Sequence, residues 1–253
     1  MVSEMLAWWT TPLSGAQDHL LTAALAWHGR LMVLAWGVAI PLSVLLARYF
    51  KVMPGQGFPR VLDHPFWWHG HRVLGYLALA LTAAGLALVA GNEGYTGPMR
   101  NVHGWMGWCV ALAALLQLAG AHLRGSKGGP TAPRRASDGR VLDLRGDHYD
   151  MTTRRILFER IHKFLGIAAL AAAWVTLVLG LQIADAPRWM VLILAIWWTG
   201  LLAWAWRLQL SGRCVDTYQA IWGLDPGLPG ARRAPIGWGI RRLSAKDLDH
   251  ESH

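Results

Sequence analysis

Five long apolar stretches, separated by polar segments, organise the chain. A helix needs about 20 consecutive apolar residues to cross the hydrocarbon core of a bilayer, and each stretch reaches that length. They are residues 20–47, 66–90, 102–123, 158–183 and 188–210. The pattern predicts an all-α membrane protein, a bundle of five transmembrane helices in which four form a core and one is additional.

The polar segments predict how the chain is divided. Residues 1–19 form an outer lead-in, residues 20–210 a transmembrane domain with an inner loop over 124–153, and residues 211–253 a basic tail. The lead-in lacks a basic segment and a clear cleavage site, so no cleaved signal peptide is predicted. Only 15% of the 253 residues are charged, against about 25% in soluble domains. The composition therefore agrees with a membrane protein.

Positive charge lies almost entirely on one side of the predicted bundle. Of 24 Lys and Arg residues, 21 follow the first, third and fifth stretches or lie at neighbouring helix ends, leaving Arg30, Arg100 and Arg188 on the other side. Because cytoplasmic loops carry the excess of Lys and Arg, the N-terminus is predicted to be periplasmic and the C-terminus cytoplasmic. Topology thus explains the net charge of +9. No nucleic-acid partner is predicted, because the loops lack interleaved aromatic residues.

Four histidines stand near the starts of four different stretches: His28, His71, His103 and His162. Ionisable residues inside membrane helices are costly and usually functional. The contexts of His28 and His103 are HGRLM and HGWMG, and those of His71 and His162 are HRVLG and HKFLG. Two matched pairs predict two sites with two imidazole ligands each, which is bis-histidine ligation of haem. Any haem would be noncovalent, because the chain has no Cys-x-x-Cys-His.

Antiparallel helices place the same pairs at the same depth. The first and third stretches start on the outer side and the second and fourth on the inner side. His28 and His103 are therefore predicted to form an outer pair, and His71 and His162 an inner pair. An interhelical hydrogen bond is the alternative for any one of these histidines alone. His69 is an alternative to His71, because His69 and Gly70 imitate the His-Gly motif of the outer pair.

Glycines and basic residues near the histidines predict the surroundings of the haems. Gly75, Gly107 and Gly166 each follow a histidine by four positions, which clears one helix face for a flat ring. A straight helix from His28 to Arg48 covers about 30 Å, which two haems bridge better than one. The basic residues predicted to meet haem propionates, with interfacial anchoring as the alternative for each, are Arg72 and Lys163 on the inner side and Arg30 and Arg100 on the outer side.

At these positions the chain resembles the cytochrome b561 family, over roughly residues 20–210. The first stretch, HGRLMVLAWGVAIP from His28 followed by ARYFK, is similar to the version often fused to DOMON domains. WWHGHR at 67–72, NVHGWMG at 101–107 and IHKFLG at 161–166 resemble the second, third and fourth motifs of the family. The chain departs from the family in having no DOMON domain, five apparent spans rather than six, and a basic tail of its own.

The resemblance implies two noncovalent haem b groups. One would be held by His28 and His103, and the other by His162 and His71, with His71 rather than His69 as the ligand. It also implies electron transfer across the membrane, in relatives from ascorbate or another reductant to an acceptor such as monodehydroascorbate or ferric iron.

The predicted function is transmembrane electron transfer through two bis-histidine haems, as an oxidoreductase-type electron carrier with no assigned catalytic residue. Its partners would be a donor and an acceptor on opposite faces of the membrane: a small reductant, a quinol or a redox protein. The alternatives are a membrane-bound quinol or ferric reductase, and a haem-bearing accessory subunit of a larger respiratory complex. A homodimer or a larger complex is the expected assembly. The composition, rich in Ala, Gly, Arg and Trp, favours a bacterial inner membrane.

Overall fold

The computed structural model describes residues 2–15, 21–90, 98–125, 136–138 and 151–244. Most of the predicted inner loop 124–153 lies outside the described residues, as do residues 16–19 of the lead-in and 245–253 of the tail. The predicted division of the chain after residues 19 and 210 stays a prediction.

Five helices among the described residues are long and apolar enough to cross a membrane. They are span 1 (Ala23–Tyr49), span 2 (Pro65–Val89), span 3 (Arg100–Leu123), span 4 (Thr153–Ile183) and span 5 (Arg188–Leu210). No β-strand occurs in the described ranges, and the shorter elements are helices Val2–Thr10 and Thr217–Trp222 and a 3₁₀ turn at Pro229–Arg232. The predicted all-α membrane fold with five spanning helices is confirmed, and the chain is an integral membrane protein.

Span 4 begins before its apolar stretch. The helix starts at Thr153 rather than at residue 158, and it passes through Arg154, Arg155 and Glu159. Arg and Glu are strong helix formers, so a charged segment continues a helix that hydrophobicity alone does not reveal. Span 4 therefore has about two charged turns ahead of His162.

The chain divides into two compact units, each built from three segments. The first unit comprises Met1–Leu42, Val73–Leu115 and Gly166–Trp204, and the second comprises Ser43–Arg72, Leu116–Leu165 and Ala205–His253. His28 and His103 belong to the first unit, and His71 and His162 belong to the second. Each histidine pair predicted from the sequence thus lies within a single unit.

Span 1 contains a π-helical segment, Val33–Ala39, between two α-helical segments. The α-helical donor to the carbonyl of Gly37 would be the N–H of residue 41, and Pro41 has none. The indole N–H groups of Trp197 and Trp198 donate to this carbonyl instead, at 2.9 and 3.2 Å. Backbone groups in a membrane must be satisfied by protein, so two tryptophans of span 5 complete the hydrogen bonding of span 1.

Other tryptophans of the first unit pack around the same segment. The buried Trp36 donates to the hydroxyl of Thr82 at 3.0 Å. Trp174 donates to the carbonyl of Trp36 at 3.3 Å, and its ring stacks on Trp198 with centroids 4.5 Å apart. Spans 2, 4 and 5 are thereby hydrogen bonded or stacked around one turn of span 1.

In the second unit, residues 211–244 of the basic tail are folded. Tyr218, Ile221, Trp222 and Leu228 are buried together in a small apolar core. Asp216 caps the helix Thr217–Trp222 by accepting from the N–H of Tyr218, and its carboxylate forms an ion pair with Arg242 at 3.0 Å. The tail is basic in sequence, but it carries enough apolar residues to fold.

Candidate functional site: two histidine pairs

The structure brings His28 and His103 together in the first unit. Their ring centroids lie 6.3 Å apart and the ring planes are 76° to each other. Nδ1 of His28 lies 2.9 Å from the carbonyl oxygen of Gly85, and Nδ1 of His103 lies 3.0 Å from that of Thr176. A carbonyl oxygen only accepts, so each Nδ1 carries the proton and each Nε2 keeps a lone pair for another ligand.

Two glycines that the sequence analysis missed make room for these rings. A Cβ atom on Gly180 would lie 3.0 Å from Cε1 of His103, and one on Gly85 would lie 3.7 Å from Nδ1 of His28 and 2.5 Å from Cε of Met32. A larger residue at position 180 would push against the imidazole of His103, whereas one at position 85 would meet Met32 first and lie at ordinary contact distance from His28. The lack of a side chain at Gly180 therefore leaves room for the imidazole of His103.

His71 and His162 come together in the second unit. Their centroids lie 6.0 Å apart and their planes are at 81°. Nδ1 of His71 lies 2.8 Å from Oγ and 3.2 Å from the carbonyl oxygen of the buried Ser43. The Ser43 hydroxyl donates in turn to the carbonyl of His71 at 3.1 Å. Nδ1 of His71 therefore donates, and its Nε2 keeps the lone pair.

His162 is held differently. Its Nδ1 is buried and makes no hydrogen bond within the part of the chain that the structure describes. Its ring lies against Phe158, with centroids 5.0 Å apart. Gln117 donates to the backbone carbonyl of His162 at 2.8 Å. Packing and a backbone contact, not a hydrogen bond to the imidazole, position this fourth ring.

The contacts around the four histidines repeat along the chain. Gly85 follows His71 by fourteen residues, and Thr176 follows His162 by fourteen. Each supplies the carbonyl that accepts from a histidine of the first unit. Both acceptors therefore stand at the same spacing from the histidine of their own span.

A second repeat differs by one residue. Gln117 follows His103 by fourteen residues and Ser43 follows His28 by fifteen, yet both donate to the carbonyl of a histidine. The π-helical segment Val33–Ala39 lies between His28 and Ser43, and a π-turn takes up an extra residue because its hydrogen bonds run from i to i+5. The π-helix therefore compensates for the additional residue.

The predicted glycines leave space, to different extents. A Cβ atom on Gly75 would meet no atom within 4 Å, and one on Gly107 would meet only Cγ2 of Thr176, at 4.0 Å. Gly166 is half-buried, and the alternative ligand His69 is exposed. Gly75 thus lies beside open space.

The predicted basic residues have different surroundings. Arg30 lies over the ring of Trp27, 5.0 Å from its centroid, and Arg100 is half-buried. Arg72 is exposed. Lys163 forms an ion pair with Glu159 at 2.6 Å and also donates to a backbone carbonyl, that of Ile236. The ammonium group of Lys163 is thus already engaged by protein groups.

Two cations outside the spans have lowered pKa values. Burial, followed by repulsion from Lys163, lowers the pKa of Lys51 to about 8, and its ammonium group donates to the carbonyls of Arg48 and Val215, both at 3.2 Å. Burial, followed by repulsion from neighbouring arginines, lowers the pKa of Arg124 to about 10. Both residues belong to the second unit.

The ring spacing suits one metal ion between the two imidazoles of each pair. Metal–nitrogen bonds of about 2 Å and an imidazole radius of about 1.1 Å place the centroids of two opposed ligands about 6 Å apart. The observed separations are 6.3 and 6.0 Å. No group of three or more His, Cys, Asp or Glu side chains among the described residues is arranged to hold a metal ion. Two imidazoles fit a metal that brings its other ligands with it, as haem iron does.

Comparison with known proteins finds two partial similarities. The chain is 27% identical over 170 residues to the cytochrome b561, DM13 and DOMON domain-containing protein of Arabidopsis thaliana, covering 67% of this chain and 16% of that protein. It is 30% identical over 90 residues to ferric-chelate reductase 1 of Homo sapiens, covering 36% of this chain and 15% of that protein. No family model matches the chain, and no solved structure matches it. The chain is thus an integral membrane protein with weak similarity to a small part of a cytochrome b561-domain protein and of a ferric-chelate reductase.

Proposed function

We propose that the chain is a transmembrane electron carrier with two noncovalent haem b groups, one held by His28 and His103 and the other by His71 and His162. The observation that supports it is the geometry of the pairs, which lie at ligand-to-ligand spacing. Three of the four imidazoles donate through Nδ1, which directs Nε2 to a ligand. The similarity to a cytochrome b561-domain protein supports the same proposal.

The residues of the chain would set the properties of each site. Haem supplies a reversible one-electron couple at its iron. The carbonyls of Gly85 and Thr176 fix the tautomers of His28 and His103 and increase the basicity of both rings. Ser43 does the same for His71 through its hydroxyl and its carbonyl.

The electron would cross between partners on opposite membrane faces. The concentration of Lys and Arg after spans 1, 3 and 5 supports a periplasmic N-terminus and a cytoplasmic C-terminus. A small reductant, a quinol or a redox protein would donate or accept at each face. A homodimer or a larger respiratory complex would be the assembly in the bacterial inner membrane.

Haem quantification in purified variants tests the ligand assignment. We expect two haems per chain in the wild type, and one in each of His28→Ala, His103→Ala, His71→Ala and His162→Ala. His69→Ala and His122→Ala are matched controls, because both side chains are exposed in spans 2 and 3, and both variants should keep two haems. A wild type with fewer than two haems, or loss of haem from either control, would contradict the proposal.

Ferric reduction is the second candidate function, favoured by the similarity to ferric-chelate reductase 1. The protein reduced with dithionite, freed of excess reductant and mixed with ferric citrate should then be reoxidised rapidly, with ferrous iron formed in proportion. Reoxidation at the same slow rate with and without ferric citrate would remove this candidate. Transmembrane electron transfer to another acceptor would be unaffected by that result.

A further inference from the structure

Pro41 leaves two neighbouring carbonyls of span 1 without a backbone donor. The N–H of residue 41 would donate to the carbonyl of Gly37 in an α-helix and to that of Trp36 in a π-helix, but proline has no N–H. Three indole N–H groups of spans 4 and 5 donate to these two carbonyls instead. Their side chains form the indole cluster: Trp174, Trp197 and Trp198. One missing backbone donor is thus replaced by three side chains from two other helices.

The π-helical segment brings two side chains of span 1 to the same neighbouring helix. His28 donates through Nδ1 to the carbonyl of Gly85 at 2.9 Å, and Trp36 donates to the hydroxyl of Thr82 at 3.0 Å, so both reach span 2. Trp36 follows His28 by eight residues. Eight residues of α-helix turn about 80° beyond two full turns, whereas seven stop about 20° short of them. Because a π-turn takes up one extra residue, eight residues here cover nearly the angle of seven.

The segments of span 1 in the first unit are packed to different extents. Four residues of the π-helical segment Val33–Ala39 are buried, whereas no residue of the preceding segment Ala23–Met32 is buried. The buried segment therefore fixes the rotation of span 1 about its axis. Without the π-turn, the buried segment would keep its place and the helix that carries His28 would turn away from Gly85.

We propose that the indole cluster positions His28 for the haem that it shares with His103, by stabilising the π-turn of span 1. This inference rests on the proposed function, and it gives a role to span 5, which contains no histidine. π-helices make up well under 1% of residues in proteins, so this turn needs the additional donors. The three indoles act on the ligand through the register of its helix, and they are therefore positioning residues.

EPR spectroscopy of the purified, haem-loaded full chain tests this role, because the spectrum of low-spin ferric haem depends on the angle between its two imidazole planes. Trp197→Phe/Trp198→Phe removes both donors to the carbonyl of Gly37 and keeps aromatic rings. The signal of the His28–His103 haem, identified as the one lost in His28→Ala, should shift, and the other signal should not change. The unfolding temperature should also fall, because a buried carbonyl loses its donors.

Pro41→Ala, added to the double variant, distinguishes positioning from the satisfaction of a carbonyl. The N–H that it restores can donate to Gly37, so the unfolding temperature should recover. Span 1 then continues as an α-helix, the eight residues from His28 to Trp36 again exceed two turns, and the EPR signal should stay altered. Recovery of the signal would overturn the inference. A failure of the unfolding temperature to recover would also overturn it, because the indoles would then not replace the N–H that Pro41 lacks.

Trp206→Phe is the matched control, because Trp206 also belongs to span 5 and is 66% exposed. It should leave both EPR signals and the unfolding temperature unchanged. If the double variant does not fold, Trp197→Phe alone leaves one donor on Gly37 and should shift the same signal by less. An unchanged signal in either variant would overturn the inference. Haem content separates the two proposals: if His28→Ala and His103→Ala keep two haems, the proposed function itself fails.

Discussion

The His28–His103 and His71–His162 pairs have nearly equal ring spacing but are held in different ways. In the first pair both imidazoles donate to backbone carbonyls. In the second pair His71 donates to Ser43, whereas Nδ1 of His162 has no hydrogen bond among the described residues. Lys51, Arg124 and Lys163 also belong to the second unit. Spacing is therefore common to both sites, and the polar environment distinguishes them.

Because the two pairs are held in different ways, we expect them to respond to different substitutions. Backbone carbonyls cannot be removed by changing a side chain, so the first pair is vulnerable mainly through the space its rings occupy. The second pair depends on a hydroxyl, an aromatic contact and nearby charges, all of which are side-chain properties. Steric substitutions should act on the first pair and polar substitutions on the second.

The largest expected effect is on the space beside His103. In Gly180→Val the new Cβ would lie 3.0 Å from Cε1 of His103, and overpacking of this kind costs about 1–3 kcal/mol. We expect loss of the His28–His103 haem with retention of the other, measured by haem content and visible spectra. Gly200→Val is the control, because a Cβ there meets no atom within 4 Å. Two full haems in Gly180→Val would show that ring spacing does not depend on this glycine.

The buried ammonium group of Lys51, in the second unit, should make stability depend on pH. Its pKa is about 8 in the folded protein against an ordinary 10.5. Between these values the folded chain has released the proton and the unfolded chain has not, so the unfolded chain binds more protons. Stability should therefore rise with pH across this window, by up to a value on the order of 3 kcal/mol.

Thermal unfolding at a series of pH values measures this effect against two variants. Lys51→Met removes the titrating group, so its unfolding temperature should lack this rise. In Lys51→Arg the side chain stays charged across this pH range, so its unfolding temperature should also lack this rise. Subtracting the Lys51→Met curve removes contributions from Cys214, Glu159, Asp216 and Lys163, which interact with Lys51. If the unfolding temperatures of the wild type and Lys51→Met changed in parallel with pH, the lowered pKa of Lys51 would be contradicted.

The sequence predicted what depends on local pattern. Hydrophobic length located all five spans, and repeated motifs selected four histidines that the structure brings together in two pairs. The sequence analysis missed the carbonyl of Thr176 and the space at Gly180, because such partners are set by packing between helices. The sequence analysis also missed the π-helix in span 1. The residues before and after that segment in the sequence are apolar, so no polar stripe marks the change of register.

The surroundings of Arg124 and Arg155 show the same limit. Arg124 and Arg155 are separated by a long connection, and only the register of spans 3 and 4 brings both to the ring of Phe158. Lys163 adjoins His162, and its predicted role at a haem propionate stays a prediction. Its engagement by Glu159 depends on the helix extending beyond the apolar stretch, which composition does not show.

The smallest expected effects come from Ser43 and Gln117. They distinguish a hydrogen bond to the imidazole of a histidine from a hydrogen bond to its backbone carbonyl. Ser43 and Gln117 both donate to the carbonyl of a histidine, so Ser43→Ala and Gln117→Leu should each cost about 1 kcal/mol of stability. Only Ser43 also accepts from an imidazole, at Nδ1 of His71. Its removal should make that ring less basic and raise the potential of the His71–His162 haem slightly, while Gln117→Leu leaves the potential unchanged. Redox titration measures both variants. Equal potentials in the two variants would mean that Nδ1 of His71 donates to the carbonyl of Ser43 and not to its hydroxyl. The imidazole of His71 would then be held by a backbone carbonyl, as both imidazoles of the first pair are.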